Sequence, residues 1–155
     1  MYKRLFFVAI ALWLVTIAVA ATLFLRGVTA PGSDGRTAVT LTVAERDFVL
    51  GEMRTMLGAI QGTLEGLGVG DAAAAAKAAA SGGIAFEHDV PPSLMAKLPL
   101  EYKLQGMAMH TGFDEIAAAA RKGEAVPALT GRLAGQLNLC LGCHQSYRFD
   151  PARVE

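Results

Sequence analysis

Residues 5–25, LFFVAIALWLVTIAVAATLFL, run for 21 positions without a charged side chain. As a helix this stretch is about 31 Å long, one bilayer core. Lys3 and Arg4 precede it and a lone Arg26 comes after it. The positive-inside rule therefore keeps the N-terminus in the cytoplasm and exports the C-terminal part of the chain. The expected topology is a single-pass protein of a bacterial inner membrane, with its C-terminal domain in the periplasm. A cleaved signal has a shorter apolar core, about 7–15 residues. Ala18-Val19-Ala20 is nevertheless an acceptable cleavage site, and cleavage would leave a soluble periplasmic protein. Residues 1–26 are thus an anchor or a signal segment. Residues 27–40, rich in Gly, Ser, Thr and Pro, read as a flexible linker.

The remainder, 41–155, reads as helical. Alanine dominates 72–80 and 117–120, and alanine favours helix over strand. No useful period-2 pattern and no hairpin dipeptide between apolar runs is present. The expected fold class is all-α: a four-helix bundle behind an N-terminal transmembrane helix. Thr42 and Glu45 form a capping box at the start of the first bundle helix. Val43, Arg46, Leu50, Met53, Leu57, Ile60, Leu64 and Leu67 continue it at heptad spacing. Asp71 caps a second helix that Gly82-Gly83 stops. Residues 84–99 form a long connection with room for one helical turn. A third helix runs from Leu100 to Lys122, with Thr111-Gly112 a place for a kink and Gly123 its C-cap. A fourth begins near Val126-Pro127 and carries Leu133, Leu137, Leu139 and Leu141, with Pro151 closing it.

That last helix holds both cysteines of the chain, in LCLGCHQSY, 139–147. Cys140, Cys143 and His144 make C-x-x-C-H. Covalent haem needs two thiols one helical turn apart for its two vinyl groups, and an adjacent imidazole for the iron; this motif supplies both. One haem c is the expected cofactor, with His144 the proximal iron ligand. A thioredoxin-like redox pair would want a βαβ setting and a cysteine at a helix start. A zinc site would need a fourth ligand, from His88 or His110. A disulfide across two residues would close a tiny loop and stabilise little. Arg46 stands inside the apolar stripe, where a charge is costly unless paired. A haem propionate would pair it; snorkelling to water is the other account.

A C-terminal C-x-x-C-H on the last of four helices resembles the cytochrome c-prime family, over roughly 42–149. The family often has Tyr-Arg after the motif, matched here by Tyr147 and Arg148, and the resemblance places the arginine by the proximal haem face. The family also has an arginine four residues before the side chain lying over the distal iron face. Arg46 and Leu50 match that pair, and the count from Leu50 to Asp71 fits the family's spacing. Residues 86–113 depart from the family's usual connection, as does the retained anchor. Family bundles often dimerise through their first two helices, which makes a homodimer possible here.

The sixth iron position decides the chemistry. Leu50 there implies a five-coordinate, high-spin iron open to NO or CO. Met53, one turn on, would make it six-coordinate and low-spin. A stripe methionine is otherwise core filler. His110 is a third candidate ligand, or else an ordinary hydrogen-bonded histidine. Phe113 and Tyr102 are expected as haem-pocket or core aromatics, and His88 as exposed.

The formal net charge is zero, which gives no basic face for nucleic acid. No glycine-rich phosphate loop comes after a strand, and no Ser-His-Asp set is suggested. The expectation is a non-enzymatic cytochrome that passes one electron to or from a redox partner in the membrane or periplasm. The alternatives are a gas-binding haem protein and a thiol–disulfide relay module.

Overall fold

The computed structural model describes residues 2–85 and 90–151. Six helices lie among them: α1 (Tyr2–Arg26), α2 (Val43–Gly68), α3 (Ala72–Ala80), α4 (Pro92–Lys97), α5 (Leu100–Arg121) and α6 (Val126–Ser146). Helix α1 is exposed along its whole length and has a mean hydropathy of 2.6, long and apolar enough to cross a membrane or serve as a signal sequence.

The chain is mostly helical rather than all-α. Strands β1 (Thr29–Pro31), β2 (Thr37–Leu41) and β3 (Tyr147–Pro151) form one sheet in that order. β1 and β2 pair antiparallel around a turn in which Gly32 N–H donates to the Arg36 carbonyl at 2.8 Å. β2 pairs parallel with β3, Thr37 beside Tyr147 and Leu41 beside Pro151. Two expectations are corrected by this. Residues 27–40 are not a flexible linker, and α6 ends at Ser146, before Pro151. The strands are short, and β3 finds its partner across most of the chain, so no local pattern announces the pairing.

The helical expectations elsewhere hold closely. Thr42 and Glu45 form both bonds of the capping box. Asp71 accepts from Ala74 N–H at 2.8 Å. α4 is the short helix within the long connection, and α5 runs through Thr111-Gly112 without a break. The heptad stripe of α2 is buried only in part. Val43, Leu57 and Leu64 are exposed, while Val49, Ala59, Thr63 and Gly66 are buried instead. The reason is that α2 packs on α3 along a line turned away from the stripe: a Cβ on Gly66 would meet Ala75 N at 2.5 Å.

The core has three parts. At the far end, Leu67, Leu129 and the alanines 75, 76, 119 and 120 let α2, α3, α5 and α6 approach closely. In the middle, Phe113, Ile116, Ile60, Met109 and Leu133 interlock. Near the sheet, Val39, Leu41, Val49, Leu94 and Leu98 are buried, with Met53, Tyr102, Tyr147 and Phe149 packed against them.

Lys97 on α4 bonds to Glu45 at 2.6 Å, and Thr42 N–H donates to the same carboxylate at 2.9 Å. Chiefly through Lys97, the Glu45 pKa falls from 4.5 to about 2. Unfolding restores the ordinary value, so the unfolded chain binds the proton more readily. Stability from Glu45 is therefore full above about pH 5 and is lost as pH falls toward 2. Glu45→Gln is expected to flatten the acid limb of a stability–pH curve, read by thermal unfolding between about pH 5 and 2.5; an unchanged limb would count against the assignment.

Candidate functional site

Helix α6 faces the domain along Leu129, Leu133, Gln136, Cys140 and Cys143, a helical stripe at spacings of four and three. Its last turns carry that stripe beyond the middle core cluster into open space. There Cys143 and His144 line a cavity of about 420 Å³ with Cys140, Leu50, Met53, Met56, Ile60, Tyr102, Gln105, Gly106 and Met109. A second cavity of about 320 Å³ adjoins it, sharing Leu50, Met53, Tyr102, Cys143 and His144. Its further walls are Arg36, Arg46, Arg148, Tyr147 and Phe149. The space lies where the middle core stops and the sheet cluster begins.

Both cysteines are free thiols and half-buried. Burial raises the Cys140 pKa, and burial first, then Cys140, raises Cys143 to about 11. Cys140 Sγ lies 4.0 Å from Met109 Sδ. Tyr102 stands edge-on to Tyr147 and Phe149, centroids 5.5 and 5.9 Å away, and burial raises its hydroxyl pKa. Tyr147 donates to Glu101 Oε2 at 3.2 Å, and burial, then Glu101, raises its pKa to about 12.

The β1–β2 turn grips the end of α6. Arg36 Nη1 donates to the His144 carbonyl at 3.1 Å and to the Tyr147 carbonyl at 3.4 Å. Asp34 holds the same guanidinium at 2.9 and 2.6 Å. Arg148 reaches Asp34 at 3.3 Å and Asp150 at 2.7 Å. A cation at a helix C-terminus satisfies carbonyls that have no partner within the helix. Arg36→Ala is expected to lower stability by a small amount, through loss of the bonds to the His144 and Tyr147 carbonyls. A lower urea midpoint at unchanged slope reads it, and an unshifted midpoint would sink the capping role.

Of the site residues expected from sequence, Cys140, Cys143, His144, Arg46, Leu50, Met53, Tyr147 and Arg148 all line this space. Two do not. Phe113 is fully buried in the middle core. His110 is buried beside it, with Nδ1 2.8 Å from the Gly82 carbonyl. Neither lines either cavity, because both sit on α5 beyond Met109, where the core is filled. His88 lies outside the described residues. Arg36, Met56, Gln105, Gly106 and Met109 are site residues that the sequence does not single out. For Met109 and Gly106, spacing along α5 from Tyr102 carries the signal; for Arg36 there is none. No protein-family model, no curated protein and no solved structure matches this chain.

The residues present fit a covalent haem. A flat molecule with apolar edges and two carboxylates needs an apolar slot opening toward cations. The larger cavity is walled by aliphatic, aromatic and thioether groups; the smaller one carries three arginines. A Cβ on Gly106 would meet nothing within 4 Å, so this wall leaves room for a ring system. Gln105 Oε1 is buried without a hydrogen-bond partner among the described residues.

Proposed function

We propose that this protein is a membrane-tethered c-type cytochrome, a c-prime-like four-helix bundle of α2, α3, α5 and α6 carrying one haem c, and that it transfers single electrons in the periplasm. One observation carries the reading: the two thiols and the imidazole of C-x-x-C-H share a cavity that is apolar at one end and arginine-lined at the other. Cys140 and Cys143 would hold the haem, His144 would bind its iron, and Arg36, Arg46 and Arg148 are placed to meet its propionates. Bound haem supplies a one-electron ferric–ferrous couple. The chain's own share is to keep the apolar faces dry and the carboxylates paired. The thiol-relay alternative wants a cysteine at a helix start, whereas Cys140 and Cys143 lie in the last two turns of α6.

Leu50 lines both cavities. A leucine over the iron, which the c-prime resemblance implies for Leu50, would favour a second reading of the same site, diatomic-gas binding at a five-coordinate iron. A pyridine haemochrome spectrum of protein made in a haem-attaching strain tests the haem itself. A ferrous spectrum with and without CO separates the two readings. A colourless protein from that strain would end both.

A further inference from the structure

Helix α1 does not hang from the domain on a tether. Gly27, at φ +64°, lies against the Lys97–Pro99 backbone, where a Cβ would collide with the Lys97 carbonyl. Val28 N–H donates to that carbonyl at 2.8 Å, and Thr40 N–H donates to the Val28 carbonyl at 3.0 Å. Lys103 Nζ sits 4.8 Å from the Phe24 ring centroid. A lysine over an aromatic ring at the end of an apolar helix suits the headgroup level of a bilayer.

The segments pinned to this end of α1 are those that build the cavities. Tyr102 precedes Lys103, and Gln105 and Gly106 are within one turn of it. Arg46 is next in sequence to Glu45, which Lys97 holds at 2.6 Å. Arg36 ties in the end of α6. At 1.5 Å per helical residue, Met109 lies only about 9 Å along α5 from Lys103, whereas Arg121, the last residue of α5, lies about 27 Å away, with Glu124 in the turn just past it.

We infer that the cavity-bearing end of the domain rests on the surface of the lipid bilayer that α1 crosses, and that the Ala-rich end points away from it. The inference rests on reading α1 as membrane-spanning and deepens the proposed function: partners of this site are those that reach it along the membrane plane.

The full chain, made in a haem-attaching strain with Cys140 and Cys143 intact, carries a fluorescent unnatural amino acid in place of Arg46 or of Glu124. It is reconstituted into phosphatidylcholine vesicles containing a lipid with a nitroxide headgroup. Quenching at position 46 is expected to exceed that at 124 several-fold. Equal quenching in an inserted chain overturns the inference alone. A chain that washes off in alkali overturns it together with the spanning reading of α1. Quenching is taken relative to nitroxide-free vesicles, so any loss to bound haem cancels, and failure of the haem reading leaves the result standing. As a second variant, a ~12-residue Gly-Ser insert after Arg26 adds about 19 Å of flexible reach. It is expected to abolish the difference between positions, and a difference that persists overturns the role of the α1 contacts.

Discussion

Replacing Cys140 and Cys143 by alanine is expected to turn a covalently coloured protein into one that surrenders all its pigment to acidified organic solvent. Two thioethers are the only covalent hold this chain can offer haem, since it has no other cysteine. Both thiols face the same cavity, so losing one is expected to leave a single linkage and a shifted haemochrome band rather than free haem. His144→Ala keeps the thioethers and loses the axial field. Wild-type pigment that extracts as readily as the double variant's would rule out haem c. Because burial holds both thiols neutral, slow alkylation near neutral pH is the matching expectation for the haem-free chain.

Met53→Ala is expected to leave the ferrous spectrum high-spin and CO binding almost unaltered. Arg46, Leu50 and Met53 line one wall of the smaller cavity, so both candidates for the distal position are within the site. They differ in their surroundings. Met53 packs against the sheet cluster of Val39, Leu41, Val49, Leu94 and Leu98, where its flexible thioether fills space between α2 and the sheet. Leu50 is not part of that cluster. The c-prime-like spacing from Arg46 also favours Leu50 opposite His144. A variant that changes from low-spin to high-spin and gains rapid CO binding would instead identify Met53 as the ligand. Under the leucine register the cost of Met53→Ala is one of packing, about 1 kcal/mol for a partly buried side chain, and shows in unfolding rather than in the spectrum.

Whatever is local is legible in the sequence. Capping at Thr42 and Asp71, helix stops at Gly82-Gly83 and Gly123, and the C-x-x-C-H spacing all depend on neighbours within a turn or two. The site is legible along α2 and α6 for the same reason. The sheet is not, because β2 is completed by β3, with Thr37 beside Tyr147 far along the chain, and such short segments carry no period of their own. Arg36 stays hidden with it: a lone arginine in a Gly-Ser-Asp-Gly turn has no helical face to betray its direction. Phe113 and His110 keep two readings in the sequence, pocket or core, because an aromatic and an imidazole on an amphipathic helix look alike whether they face a cofactor or a filled core; the structure puts both in the core. Which of the two applies depends on how far along α5 the cavity extends, and that is set by α6.

The bond between Arg36 and the His144 carbonyl joins residues 108 apart. Such a closure carries a large loop entropy and forms late. β1 and β2 precede every helix of the domain and β3 follows the last, so in a growing chain β2 has one edge unpaired until α6 and β3 have been made. Until β3 pairs, the Cys140–His144 segment lacks its Arg36 clamp, which under the proposed haem reading is when thioether attachment is expected. Pairing of β3 then closes the sheet and seats the motif in its final position. On the proposed haem reading, the small sheet is expected to close only after the motif has been modified, because β3 follows that motif and pairs back to β2.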